Sequence, residues 1–363
     1  MPIASQAERR RALQPAFDLA RSQVERGVAP FVILGVAGAD GVTRLEAVSS
    51  PDAPRVGSDA VCLLASITKP IVATAVLQQV EAGRVELAGH VGAWAPELVN
   101  PDWAPVTPWH LLSHTSGIDD VDLEDIMRGG GGRADLLDRV SQAGQVTRPG
   151  TTYHYASVPY DLLAEAVARR TGEPFETLLR RTLLDPLGMS STTFDPRPDP
   201  ALAPRMAPIV VGGLEGHPIE RDPALVGAYT DLHLCGGGLW SSAGDLLRFG
   251  RAMLRGGELD GVRVLSPAMI ALMTREITAP IGSPGGIGWT PDPLAADHYA
   301  LGWGTPRADT IASPRAFGHG GVSGTRLWID PAYDLVYVYL TAWWGYPTAP
   351  IDAVQSAIYA AVS

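Results

Sequence analysis

Lysine is almost absent from this sequence. The chain has 363 residues with 28 lysine and arginine side chains, and Lys69 is the only lysine. Coding bias toward arginine explains this composition wherever a surface position needs no more than a cation. Arginine stays protonated at any accessible pH, whereas a buried lysine can lose its proton. Lys69 is therefore a candidate for chemistry that needs a neutral amine.

Excess positive charge and long hydrophobic runs are also missing. The formal net charge is −11, and the longest basic run, residues 9–11, lies in a segment with an amphipathic helical pattern. This balance argues against nucleic-acid binding. No hydrophobic run is long enough to cross a membrane, and the first residues lack the apolar core of a secretory signal. We therefore expect a cytoplasmic protein with no nucleic-acid or membrane partner.

Cysteine is scarce, and the motifs of several enzyme classes are absent. Cys62 and Cys235 are the only cysteines, and without an export signal we expect both to be reduced and buried. There is no Gly-x-Ser-x-Gly elbow and no phosphate-binding loop with its lysine. His110 and His114 are four residues apart but lack the His-Glu-x-x-His pattern of a zinc site. No metal or organic cofactor is implied.

Strand patterns occur at both ends of the chain, and helical patterns lie between them. Apolar segments at 30–39 and 42–48 flank Asp40-Gly41 and predict a hairpin. Hydrophobic periodicity predicts the helices, and aromatic or β-branched runs predict three further strands. Helices are expected at 6–27, 71–82, 108–112, 134–143, 159–171, 174–183, 243–256 and 350–361, strands at 299–303, 325–329 and 335–341, and surface loops at 129–132 and 276–295.

This order predicts one sheet assembled from the two ends of the chain, with a helical insertion between them. With 46% hydrophobic residues, the chain can bury a large core. We predict a single domain over 1–363. Its sheet subdomain would cover about 1–66 and 285–363, and its mostly helical subdomain about 67–284.

Ser66 lies three residues before Lys69, at the start of the predicted apolar helix. Positions i and i+3 share a helix face, so the hydroxyl and the amine should be neighbours. In a Ser-x-x-Lys arrangement the amine can take the proton of the attacking hydroxyl. Backbone N–H groups at a helix start also suit an oxyanion. The alternative is an N-cap serine beside a solvated lysine.

Tyr155 and His319 are two further candidates. Tyr155 lies in a turn before the helix predicted for 159–171, and a tyrosine beside a lysine can pass a proton to and from a nucleophile or leaving group. His319 lies among glycines just before a predicted strand, where a ligand can approach the strand edge and N–H donors are available. A packing role is the alternative for the tyrosine, and a glycine-rich turn alone is weak evidence.

Several motifs follow one another along the chain, at residues 66–69, 109–117, 149–150, 155–157, 186–189, 236–242 and 319–321. This ordered set resembles the serine β-lactamase and penicillin-binding protein superfamily, in the class C-like branch that also holds the family VIII carboxylesterases. The resemblance covers nearly the whole chain. It implies a β-lactamase/transpeptidase-like α/β (α+β) fold, with an antiparallel sheet built from both termini, flanking helices and a mostly helical inserted subdomain.

By this resemblance, Ser66 is the nucleophile that becomes acylated, and Lys69 and Tyr155 are its general base and acid. The oxyanion hole would consist of the backbone N–H groups of Ser66 and Val322, with Val322 on the strand after His319. The implied substrate-binding residues are Ser157, His319, Gly320 and Gly321.

Two positions depart from the pattern of the β-lactamases. Ser157 stands where the second element usually ends in Asn, and serine is a poorer partner than an amide. His319-Gly320 replaces a common Lys-Thr-Gly and would offer a substrate carboxylate only a weak, pH-dependent cation. Trp344 is a further substrate-binding candidate, and Trp303 and Trp343 are considered with it, although tryptophans more commonly pack the core.

The sequence thus predicts a serine hydrolase that cleaves small neutral carboxylic esters through an acyl-enzyme, with such an ester as its partner. A β-lactamase, a D-amino-acid peptidase or amidase, and an acyltransferase are the alternatives among enzymes. A penicillin-recognising sensor without turnover is the alternative outside them, although a pure binder has no need of Ser66, Lys69 and Tyr155 together. The oligomeric state is not predicted.

Overall fold

Both ends of the chain contribute strands to one central sheet. The computed structural model describes residues 6–51, 55–123, 126, 131–211, 220–221, 223–279, 281, 298–306 and 310–362. The strands are β1 (Phe31–Gly38), β2 (Gly41–Ser49), β3 (Val61–Leu63), β4 (Val210–Val211), β5 (Glu220–Arg221), β6 (Trp240–Ser242), β7 (Glu258–Leu259), β8 (Val262–Arg263), β9 (Phe317–Gly321), β10 (Thr325–Asp330), β11 (Leu335–Leu340) and β12 (Trp343–Trp344). The central sheet is antiparallel, in the order β2-β1-β11-β10-β9.

Helices surround this sheet and fill the middle of the chain. They are α1 (Gln6–Ala12), α2 (Gln14–Glu25), α3 (Thr68–Glu81), α4 (Pro108–Leu112), α5 (Arg133–Gln142), α6 (Pro159–Thr171), α7 (Phe175–Leu179), α8 (Asp185–Leu187), α9 (Pro223–Leu232), α10 (Ala243–Leu254), α11 (Pro267–Met273) and α12 (Ala349–Val362). A π-helical turn, Arg180–Leu184, joins α7 to α8. A helix is present in every segment where the sequence predicted one, although the helix predicted at 6–27 is divided into α1 and α2. Helices α8, α9 and α11 were not predicted.

Strand β1 is buried along its whole length because helices cover both faces of the sheet. Its side chains alternate between two hydrophobic clusters. Ile33 joins the cluster that contains Leu247 of α10, whereas Leu34 joins the cluster that contains Phe17 of α2 and Ile358 of α12. Alternate side chains of a strand point to opposite faces, so a strand covered on both sides is apolar throughout.

The strand predicted at 299–303 is wrong. The backbone turns there instead, with the Ala300 N–H donating to the Trp303 carbonyl at 2.8 Å and Gly302 in the left-handed region. The strand beside β10 is β9, whose glycines gave it the sequence pattern of a turn. A Cβ on Gly318 would lie 2.3 Å from the Trp328 side chain, so the glycine allows close approach of neighbouring strands.

Several smaller expectations can be compared with the structure. Cys62 and Cys235 are buried and free, as predicted. No helix within the described ranges has the length and apolar character needed to cross a membrane. The predicted loops at 129–132 and 276–295 fall largely outside the described residues.

Candidate active site

Ser66 is held in a strained turn between β3 and α3. It lies in a 3-10 turn, Ala65–Ile67, and Ala65 has a φ of +48°, which is uncommon for a residue with a side chain. From Val61 to Leu77 every residue is buried except Ser66, which is partly exposed. The predicted position of Ser66 at the start of an apolar helix is confirmed, and Ser66 is partly exposed where its neighbours are buried.

The Lys69 amine lies beside the Ser66 hydroxyl. Its Nζ donates hydrogen bonds to Ser66 Oγ at 3.2 Å, Ser157 Oγ at 3.1 Å and the Gly236 carbonyl oxygen at 2.7 Å. The side chain is completely buried. Burial lowers the pKa of the Lys69 amine to about 7, against the opposing charges of two aspartates. A large fraction of this amine is therefore neutral near pH 7.

Tyr155 and a buried histidine lie on another side of the amine. Lys69 Nζ is 4.6 Å from the centroid of the Tyr155 ring. The ring of His114 lies 4.2 Å from the Tyr155 ring, and its Nδ1 accepts a hydrogen bond from the Ala156 N–H at 3.3 Å. Burial and the nearby Lys69 hold the pKa of His114 well below its usual value. The His114 ring is therefore neutral, and it packs against the Tyr155 ring.

Ser157 is fixed by a carboxylate that the sequence analysis missed. The N–H groups of Ser157 and Val158, just before α6, donate to the two Asp120 carboxylate oxygens at 2.9 Å each. Asp120 follows the motif at 109–117, and a carboxylate is favourable at a helix N-terminus. Asp120 could have been considered as a cap for a helix N-terminus. The helix that it caps, α6, starts almost 40 residues later in the sequence, so the pairing was not predicted.

Gly236 supplies the shortest hydrogen bond to the Lys69 amine, a role that the motif alone did not reveal. A Cβ at this position would lie 2.2 Å from the Ser157 carbonyl oxygen. The glycine is therefore required for the loop to pass so close to Ser157. Together these contacts bring Ser66, Lys69, Ser157 and Gly236 into one cluster.

The end of β9 packs directly on the segment that carries Ser66. A Cβ on Gly321 would lie 2.3 Å from the Leu64 carbonyl oxygen. Val322 lies in the turn after β9, not on a strand as expected, and its carbonyl accepts from the Gly345 N–H at 2.7 Å. Among the described residues, neither the Ser66 N–H nor the Val322 N–H has a backbone acceptor.

His319 is not the cation that the sequence predicted. It precedes β10, the strand predicted at 325–329, but itself lies within β9 and is only 4% exposed. Its Nδ1 donates to the Gly320 carbonyl oxygen at 2.6 Å, so its Nε2 accepts from the Tyr299 hydroxyl at 2.9 Å. Burial, together with Lys69, lowers the pKa of His319 to about 3. The ring is neutral, and both its nitrogens are engaged.

The three tryptophans differ in position. Trp303 and Trp343 are fully buried and pack the core. Trp344 is partly exposed, and its ring centroid lies 5.1 Å from that of Tyr229, which the sequence analysis did not identify. A Cβ on Gly237 would contact both Tyr229 and the backbone of Ala65. Tyr229 therefore lies beside the segment that carries Ser66, with Trp344 next to it.

The histidines of the 108–114 region have separate partners. His110 Nδ1 lies 3.1 Å from the Thr107 hydroxyl, at the start of α4, whereas His114 packs against Tyr155. In the part of the chain that the structure describes, no three His, Cys, Asp or Glu side chains are grouped so that they could hold a metal ion.

The sequence is similar to those of known proteins. A family model described as Beta-lactamase matches residues 19–361. Penicillin-binding protein 4 of Amycolatopsis lactamdurans is 32% identical over 299 residues, which are 79% of this chain and 73% of that protein. Esterase EstB of Burkholderia gladioli is 31% identical over 355 residues, covering 83% of each chain.

A solved structure shows the same fold. EstCE1, described as a hydrolase with promiscuous acyltransferase activity, aligns with a TM-score of 0.80 at 21% identity and covers 98% of this chain and 100% of that one. The fold class and the resemblance predicted from the motifs are confirmed. The chain belongs to the beta-lactamase family.

Proposed function

We propose that this protein is a serine carboxylesterase that cleaves small neutral esters through an acyl-enzyme on Ser66. The observation that carries the proposal is the 3.2 Å contact between Lys69 Nζ and Ser66 Oγ. Because Lys69 is buried and Ser66 is partly exposed, an ester can reach the nucleophile while its base stays shielded from water. The 31% identity with Esterase EstB supports the same reaction class.

Acylation begins when Ser66 Oγ attacks the ester carbonyl carbon and its proton passes to the neutral Lys69 amine. The carbonyl oxygen takes the electron pair and becomes an oxyanion, which the N–H groups of Ser66 and Val322 stabilise. The bond to the alcohol then breaks. Tyr155 donates its proton to the leaving alkoxide and regains one from the Lys69 ammonium.

Deacylation reverses these proton movements. Water attacks the acyl carbonyl carbon and gives a proton to the Tyr155–Lys69 pair, which returns it to Ser66 Oγ as the bond to the serine breaks. The products are the carboxylic acid and the free enzyme. An alcohol in place of water would give a new ester, and the similar structure of EstCE1, a hydrolase with promiscuous acyltransferase activity, supports acyl transfer as a second candidate reaction.

The site favours uncharged substrates. His319 occupies the place of the lysine in Lys-Thr-Gly but is neutral and enclosed, so it offers no charge to a substrate carboxylate. The rings of Tyr229 and Trp344 offer an apolar surface beside the nucleophile. A carboxylate placed there without a partner would be costly to desolvate, whereas a short acyl chain would not.

We expect a higher kcat/KM for p-nitrophenyl butyrate than for nitrocefin, measured in one buffer. Nitrocefin carries a carboxylate, and the neutral His319 offers it no charge. Nitrocefin should therefore be turned over slowly, or only acylate the protein.

The kcat/KM values for these substrates also distinguish the remaining alternative functions. A higher kcat/KM for nitrocefin would favour a β-lactamase, an alternative that the match to a family model described as Beta-lactamase also supports. Stable acylation by both compounds without turnover would favour a sensor. Cleavage of a D-alanyl amide at a rate above that of the ester would favour a peptidase.

A further inference from the structure

The Lys69 amine makes its shortest hydrogen bond, 2.7 Å, to the carbonyl oxygen of Gly236. Gly236 lies in the loop between α9 and β6, residues 233–239, and this loop passes against the backbone of Ser157. The position of this carbonyl therefore depends on what holds the loop.

An ion pair between the partly exposed Arg133 and the buried Asp161 holds this loop. Asp161 Oδ1, in the first turn of α6, accepts from Arg133 Nη1 and from the Cys235 N–H, both at 2.9 Å. Arg133 Nη1 also donates to the His233 carbonyl oxygen at 3.1 Å. His233 has a φ of +48°, a conformation that persists only when its surroundings enforce it. The ion pair thus holds the loop at two backbone groups. The Cys235 N–H donates to Asp161, and the His233 carbonyl accepts from Arg133.

Asp161 also acts on Lys69 through its charge. Burial raises the pKa of the Asp161 carboxyl, and the paired Arg133 and the Cys235 N–H oppose this rise. Asp120 and Asp161 are the two groups that raise the pKa of Lys69 against the effect of burial. The other titratable groups that face the amine, from the segments packed around it, are His114, Tyr155, Tyr160 and His319.

We propose that Arg133 and Asp161 are a positioning pair for Lys69. They hold loop 233–239 so that the Gly236 carbonyl meets the amine, and they keep one buried carboxylate charge near it. Neither residue contacts Ser66, and neither is a catalytic residue. The proposal rests on the proposed function, because it takes Lys69 as the general base.

The sole lysine makes a direct test possible. Protein labelled with ¹³C at lysine Cε has a single lysine side-chain signal, and its pH titration reports Lys69 alone. In Asp161→Asn the amide oxygen can still accept from the Cys235 N–H, but the charge is removed. We expect the Lys69 midpoint to fall by roughly 0.5–1 pH unit.

Ester cleavage should follow the same titration. The amine must be neutral to accept the serine proton, so kcat/KM should rise with pH through about 7 in the natural protein. In Asp161→Asn this rise should move to lower pH by the same amount as the Lys69 midpoint. A merely structural role would lower the melting temperature without moving either curve.

Asp245→Asn is the matched control. Asp245 is also buried, lies in the first turn of α10, and accepts from the Ser191 N–H and the Thr192 hydroxyl at 2.8 Å each. Asp245 is not among the groups that change the pKa of Lys69. Its substitution should cost stability and leave the Lys69 midpoint unchanged. The double variant Arg133→Met with Asp161→Asn avoids an unpaired guanidinium, and its midpoint should also fall.

A Lys69 midpoint that stays at its natural value in both Asp161 variants would overturn the proposal. Failure of both to fold, while Asp245→Asn folds, would assign the pair to the core and overturn it as well. A natural protein whose Lys69 titrates and responds as expected, yet cleaves no ester, would contradict the proposed function and leave the positioning pair intact.

Discussion

Replacement of Lys69 by arginine is expected to lower kcat for a small ester by roughly 10²–10⁴-fold, the usual cost of losing a general base. The lysine amine is buried, contacts Ser66 Oγ at 3.2 Å, and has a pKa of about 7. A guanidinium stays protonated throughout the accessible pH range, so it cannot take the serine proton. Steady-state kinetics with p-nitrophenyl butyrate would measure the loss, and circular dichroism would show that the fold is retained.

A second variant separates lost chemistry from poor packing at this position. Lys69→Met fills a similar volume without a titratable group, and it should lose activity to the same extent. The base assignment would be wrong if Lys69→Arg kept more than half of the natural kcat with normal secondary structure.

Gly321→Ala is expected to damage both stability and activity. The new Cβ would lie 2.3 Å from the Leu64 carbonyl oxygen, which is itself held by the Thr325 hydroxyl at 2.8 Å. Overpacking of this kind typically costs about 1–3 kcal/mol of stability. Any shift of β9 would also move the Val322 N–H, and loss of one oxyanion donor typically lowers kcat by roughly 10²–10³-fold.

Gly144→Ala is its control. No atom lies within 4 Å of the Cβ that this substitution adds, and Gly144 is not among the glycines with positive φ. Its melting temperature and kcat should stay close to those of the natural protein. If Gly321→Ala matched Gly144→Ala in both measurements, the close packing of β9 on the nucleophile segment would not matter for catalysis.

Local patterns were sufficient to predict most of the fold. Hydrophobic periodicity predicted α3 and the position of Ser66 at its start, because an apolar helix with i, i+3 neighbours is a local property. The same reasoning failed where long-range packing decides. The aromatic segment 299–303 reads as a strand but turns, while β9 is rich in glycine because it lies close to Trp328 and Leu64.

In the candidate site, too, local features could be predicted and features that depend on long-range packing could not. Residue types and spacing indicated the Ser66–Lys69 pair, but they could not show that His319 is enclosed and bonded to Tyr299, twenty residues away in the sequence. Asp120 was missed, and Gly236 was identified only as part of the motif at 236–242, for a related reason. Their roles depend on partners that only the folded chain brings near, so neither composition nor motif order shows what they do.

The central claim is that Ser66 becomes covalently acylated, and peptide mass spectrometry tests it most directly. After brief exposure to a phosphonate or a slowly hydrolysed ester, we expect one adduct, on the peptide that contains Ser66, and none in Ser66→Ala. Ser116 and Ser323 are buried and should stay unmodified. Label on either of them, with Ser66 unmodified, would contradict the account.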